Sequence, residues 1–346
     1  MSGARLSRTK SIEKYILSQV DDNTGKLPSL IAEHFEISRQ AANRHLAKMV
    51  SKRLLTKEGA TKNTKYKAVS LAVVEEQFAI APGLHEDIVY TRMVAPLLVG
   101  ELGNVRAIVQ YGFTEMLNNA VDHSRGTSVY IKAELTSSSV NLYLRDNGVG
   151  VFRRITDGLG LADEAHAILE LAKGKVTTDP KRHSGEGIFF TSRVFDDFTL
   201  LANQYAFLSG AGSDWLMERA QDEPGTVVLL KLFRYTDRKI EDVFQHFSTD
   251  PGAVNFDKTV LPVTLARVGS ENLVSRSQAK RLLTRIEKFK EVILDFKDVP
   301  SIGQAFADEV FRVFVSAHPD VHLVVVNAIP VVEKMIERVK KSPGTI

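Results

Sequence analysis

Three short glycine-bearing segments, Asp146-Asn-Gly-Val-Gly150, Ser184-Gly-Glu-Gly187 and Gly225-Thr226, punctuate the middle of this 346-residue chain and constrain its fold more than any other feature. The first closes an alternating stretch, Val140 to Asp146, that reads as a strand. Its partner is Val129 to Leu135, across the polar turn Thr136 to Ser139. Gly148 and Gly150 let the backbone turn closely behind the strand-end carboxylate, and such an Asp can accept a hydrogen bond from an exocyclic amine like that of adenine. The second segment opens a helix whose free backbone N–H groups can meet phosphate oxygens. The third begins a strand with a Thr hydroxyl.

Upstream lies Gln110 to Ser124, a helical stretch in which Glu115 and Asn119 are four residues apart and share a face, as do Asn118 and Asp122. A carboxylate and an amide one turn apart can hold a hydrated magnesium ion and a water, because magnesium takes few protein ligands. Glu and Asn on one helical face are commonly just solvated. Between the first two glycine segments runs a lid-like stretch ending in Lys181 and Arg182, whose charges suit a phosphate clamp, beside His183, a phosphate contact or a solvated lid-edge residue.

In their order, these four segments resemble the marks of GHKL ATPases, the nucleotide fold of gyrase, Hsp90 and histidine kinases. Residues 115–123 stand for the N-box, 146–150 and 184–187 for the two glycine boxes, and Gly225-Thr226 for the terminal strand. The resemblance covers roughly residues 80–235. It implies ATP and magnesium as cofactors, Glu115 as general base, Asn119 on magnesium, Asp146 on the adenine amine and Thr226 on the base through water. Gly148 and Gly150 would shape the adenine pocket, with Ser184, Gly185, Glu186 and Gly187 against the phosphates; Asp122, Lys181 and Arg182 complete the implied nucleotide site. The chain departs from the family pattern at Glu186, an anion where phosphates are expected. No upstream phosphoacceptor-His helix pair is evident, which disfavours histidine autokinase activity.

Residues 1–68 hold 14 Lys and Arg against 6 Asp and Glu, while the whole chain carries only +3. Ile12, Tyr15, Ile16 and Val20 recur at helical spacing, Pro28 and Ser29 start a second helix, and Ser38 is placed to cap a third. Leu54 to Thr56 and Lys65 to Val69 read as two strands around a polar tip. This order resembles a winged helix-turn-helix over residues 1–72. The resemblance implies DNA binding through Ser38, Arg39, Gln40, Asn43 and Arg44 on the third helix and Lys57, Lys62 and Lys65 on the wing. A small basic module for protein contacts is the alternative. Winged helices often act as dimers, so a homodimer stays open, although no heptad seam argues for one.

Residues 255–346 alternate strands (Thr259 to Leu265, Glu291 to Phe296, Val321 to Val326) with helices (Ser275 to Phe289, through Phe306 to Phe314, and from Val331), a small α/β pattern. The run Val292 to Val310 resembles the STAS fold of anti-sigma-factor antagonists, and more closely the STAS-like domain found behind this kind of ATPase. Where the antagonists carry a phosphorylated Ser, this chain has Gly303, Gln304 and Ala305. Without a hydroxyl that place cannot take phosphate. Ser301 lies two residues short of it, and the surface around Gln304 is expected to meet a protein partner or the ATPase unit.

The expected fold class is therefore multidomain α+β: winged helix, GHKL α/β sandwich, then a small STAS-like α/β domain. With no cysteine, disulfides and thiolate chemistry are excluded, and no stretch of about 18 uncharged apolar residues suggests a membrane span. A soluble cytoplasmic protein is expected. Three functions fit: an ATP-binding, weakly ATP-hydrolysing DNA-binding regulator, which explains all three parts; a serine/threonine protein kinase acting on a separate STAS partner; and a nucleotide-binding interaction module with little turnover. Glu115 speaks for hydrolysis or transfer without choosing the acceptor.

Overall fold

The computed structural model describes residues 2–60, 63–177, 184–210, 212–250, 252, 255–267 and 272–341. The first three helices, α1 (Ser2–Gln19), α2 (Leu27–His34) and α3 (Arg39–Ser51), are followed by a two-stranded wing, β1 (Leu55–Glu58) and β2 (Lys65–Ala68). Ile12, Ile16 and Val20 of α1 meet Leu27, Ile31, Leu46 and Met49 in a core of their own, closed by Leu55 and Tyr66 from the wing. The Ser38 hydroxyl accepts from the Ala41 amide at 3.1 Å, which satisfies one of the free donors at the start of α3.

The chain leaves the wing directly into β3 (Ser70–Ala79), a strand the sequence reading did not contain. It pairs antiparallel with β4 (Ser128–Thr136) and forms the edge of a five-stranded sheet. Between them run α4 (Glu86–Val89), continued as the π turn Tyr90–Val94 and the 3-10 turn Ala95–Leu98, and then the long α5 (Gly103–His123). Next come β5 (Ser139–Asp146), α6 (Val151–Leu159), α7 (Glu164–Lys173), α8 (Gly187–Val194), β6 (Asp197–Gly210) and β7 (Ser213–Phe233). The sheet order is β3-β4-β5-β7-β6, antiparallel throughout the pairs. Alternate residues of β4 and β5, such as Ile131, Ala133, Leu142 and Leu144, are buried, and α5 to α8 pack on β5, β6 and β7, giving a two-layer sandwich.

After α9 (Ile240–His246), the C-terminal unit comprises β8 (Lys258–Pro262), α10 (Arg276–Leu283), β9 (Glu291–Asp295), α11 (Gln304–Asp308) with its π continuation Glu309–Phe314, α12 (Val315–Ala317), β10 (His322–Val326) and α13 (Pro330–Lys341). Its parallel sheet has the order β10-β9-β8. The helix expected from Ser275 to Phe289 stops at Leu283: Arg285 turns at φ 63° into a 3-10 turn at Ile286–Lys288. Val299, Ile302 and Phe306 pack the core as expected, whereas Gln304 is exposed.

That seam runs along α7. Lys173, 1% exposed, donates to Glu170 at 2.5 Å and to the carbonyls of Thr284 (2.7 Å) and Arg281 (3.2 Å) at the end of α10. The Thr259 hydroxyl on β8 donates back to the Lys173 carbonyl at 2.7 Å. Phe189 and Phe190 of α8 stack with Phe256, at 4.7 and 4.8 Å between ring centres, and Phe256 meets Phe289. No described helix is long and apolar enough to cross a membrane.

Candidate functional site

A cavity of about 300 Å3 opens between α5, α6 and the start of α8, above β5 and β7. Apolar Leu144, Val151, Ile155, Leu200 and Val228 line one part of it, a floor suited to a flat aromatic ring. At this end Asp146 is 6% exposed and its Oδ1 accepts from the amides of Gly148 (2.8 Å) and Thr226 (3.2 Å). Burial pushes the Asp146 carboxyl above the ordinary carboxylate range, while the bonds from Gly148 and Thr226 work in the opposite direction. The Thr226 hydroxyl accepts from the Val151 amide at 3.1 Å, so the strand-start Thr ties down the first turn of α6. Gly148 lies so close to Ser124 that a Cβ there would stand 2.0 Å from its carbonyl oxygen, and Gly150 turns at φ +90° to start α6.

At the other end, Glu115, Asn118, Asn119 and His123 of α5 face Thr177, Ser184, Gly185 and Gly187. Gly187 opens α8 directly against Glu115: an added Cβ would sit 2.0 Å from the carboxylate oxygen, so a larger residue there would push the acid away from the helix start. Asn119 lines the cavity with its Nδ2 buried and without a hydrogen-bond partner. The Val176 amide bonds to the Gly185 carbonyl at 3.0 Å and draws the two ends of the intervening loop together. Lys181, Arg182 and His183 lie outside the described residues.

Two of the expected nucleotide residues stand apart from the cavity lining. Asp122 is exposed, one turn beyond Asn118, and is not part of the lining. Glu186, half-buried, lies toward Lys175 and Tyr111 instead: burial raises its carboxyl, Lys175 partly offsets this, and the Tyr111 hydroxyl is pushed up by burial and then by the charges of Glu115 and Glu186. The anion of the second glycine box is not among the residues that line the cavity. The sequence reading missed Arg154, which lines the cavity with its Nε buried and unpartnered. The signal was present in the helical spacing of Val151, Arg154 and Ile155, which places a cation on the inward stripe of α6.

A second candidate surface lies on the winged unit. Arg39, Gln40, Asn43 and Arg44 are exposed along one face of α3, and Lys57 and Lys65 are exposed on the wing. The Ser38 hydroxyl is engaged as the helix cap, and the Arg39 guanidinium donates to Ser29 Oγ, which fixes its direction. Lys62 lies outside the described residues. Arg, Gln and Asn are side chains that read base edges, while Lys suits phosphate.

Residues 6–63 match the MarR family, and residues 278–333 match a STAS-like domain of unknown function. No curated protein matches the chain. The chain thus combines a MarR-type DNA-binding regulator domain with a STAS-like domain at its other end.

Proposed function

We propose that the central unit binds ATP and that the whole chain is a nucleotide-responsive, weakly ATP-hydrolysing DNA-binding regulator. The observation that carries this reading is the buried Asp146, held by the Gly148 and Thr226 amides at the apolar end of a cavity whose other end meets the start of α8. An ionised Asp146 accepts from the adenine amine, the apolar floor takes the ring, and the free N–H groups at Ser184 to Gly187 take phosphate oxygens. Magnesium arriving with the nucleotide would neutralise phosphate charge, and the Asn119 carboxamide would hold it. Glu115 is placed to polarise a water or hydroxyl at the start of α8. On the DNA side, the exposed face of α3 reads bases and the wing lysines take phosphates, an activity that belongs to the cytoplasm.

Calorimetric titration with ATP and magnesium tests the cavity: Asp146→Asn and Asn119→Ala are expected to lose binding. Because the acceptor role needs ionised Asp146 and burial raises its pKa, affinity should fall as the pH drops through a value above the ordinary carboxylate range. DNA affinity measured at fixed salt with and without ATP tests the switch, and equal affinities would sink it.

The position of Glu115 also favours a second reading, phosphoryl transfer to a hydroxyl on a separate STAS-type protein. Radiolabel transfer abolished by Glu115→Ala would establish it. The chain's own STAS-like unit, with Gly303, Gln304 and Ala305 at the acceptor place, would stay unlabelled there.

A further inference from the structure

We propose that Arg154 is the cationic anchor for the nucleotide's phosphate chain on α6, at the junction of sugar and first phosphate. The assignment rests on the nucleotide reading of the cavity.

The two arginines that follow the first glycine segment have opposite environments. Arg153 points outward and is already paired, with Glu164 at 2.9 Å and Asp222 at 3.0 Å. Arg154 turns inward: with Val151 and Ile155 it forms the stripe of α6 that lines the cavity, and its Nε is buried without a hydrogen-bond partner. A buried guanidinium donor left unmatched is unfavourable, and an anionic oxygen is its best complement. Among the described residues lining the cavity, Arg154 is the only Arg or Lys, whereas Glu115 and Asp146 line the same space as acids. A polyanion entering that lining needs a cation, and Arg154 supplies one.

Its place along α6 selects the part of the ligand it meets. The Val151 amide is bonded to Thr226 at the base end. Arg154 is three residues on, about 4.5 Å along the helix axis. Val151 and Ile155 flank it on the apolar floor, so the long Arg154 side chain, rising from beside the ring, meets the sugar and first phosphate before any later one, while the Asn119 and Gly187 end receives the terminal phosphates.

The test is direct binding of adenosine, AMP, ADP and ATP to the full chain, comparing wild type with Arg154→Met, Arg154→Lys and the neighbouring control Arg153→Met. Loss of one charge-assisted contact corresponds to about tenfold to hundredfold in affinity. Arg154→Met is expected to weaken AMP, ADP and ATP by that factor and adenosine by less than twofold. Arg154→Lys should recover part of the loss, and Arg153→Met should bind like wild type. Matching thermal unfolding of the variants checks that the fold is kept. An equal loss for adenosine, or no loss for AMP, overturns the assignment while leaving the nucleotide reading intact. If wild type binds none of the four ligands, the nucleotide reading itself falls, and this assignment with it.

Discussion

The central unit meets its two neighbours in different ways. Toward the C-terminus it shares one continuous hydrophobic core, running from Val89 through Phe189 and Phe256 to Val339. Toward the N-terminus the winged unit keeps its core to itself, and the contact is polar. Ser137, in the β4–β5 turn, donates to the Leu54 carbonyl at 2.5 Å and exchanges bonds with Val69; Lys231 pairs with Asp21 at 3.0 Å, and Lys14 with Asp237 at 2.9 Å. Apolar seams are held by area removed from water, and partly exposed ion pairs contribute little. The STAS-like unit is therefore built into the central unit, whereas the winged unit is only rested on it.

The largest expected effect tests the first half of that contrast. Phe256→Ala empties a ring site packed by Phe189, Phe190, Phe247 and Phe289 and should cost about 3–5 kcal/mol in denaturant unfolding. Hydrogen exchange should show β5 and β9 losing protection together; β9 opening first, with β5 unaffected, would mean that the two cores are separate. Lys173→Met leaves Glu170 buried without its closest cation and is expected to cost a similar amount, ~3–5 kcal/mol, with much of it recovered in the double variant Lys173→Met, Glu170→Leu.

Smaller effects belong to the other side. Ser38→Ala removes the cap of α3 and should cost about 1 kcal/mol, seen as lost exchange protection within residues 39–51 and nowhere in the central sheet. Asp21→Asn breaks the pair with Lys231 and should change unfolding by ~0–1 kcal/mol, with faster proteolysis near Val69 as its visible sign. A large, global effect of Asp21→Asn would erase the distinction between the two joints.

Local pattern carried much of this architecture. The alternation in residues 129–135 and 140–146 gave β4 and β5, and Ser38 marked the start of α3, because each depends on neighbours in the chain. β3 escaped notice because Leu71 and Val73 face outward on an edge strand, so its apolar residues do not mark a buried face. The early end of α10 depends on Lys173, which satisfies the carbonyls of Arg281 and Thr284 from more than a hundred residues away. The cavity was legible at Gly148, where the Ser124 backbone leaves room only for glycine, and at the Gly187 helix start beside Glu115. It was not legible at Arg154 or Glu186, whose directions are set by tertiary packing.

The direct passage from wing to sheet has one more consequence. Ala68 ends β2 and Ser70 begins β3, so a single residue, Val69, separates the winged unit from the edge of the central sheet, and its amide and carbonyl are both bonded to Ser137. A connector this short has no slack to absorb a change in sheet twist, and the winged unit would swing as a rigid arm. Under the proposed nucleotide switch, linkage would work in both directions: DNA that holds the arm in one orientation would change nucleotide affinity by the same factor by which nucleotide changes DNA affinity.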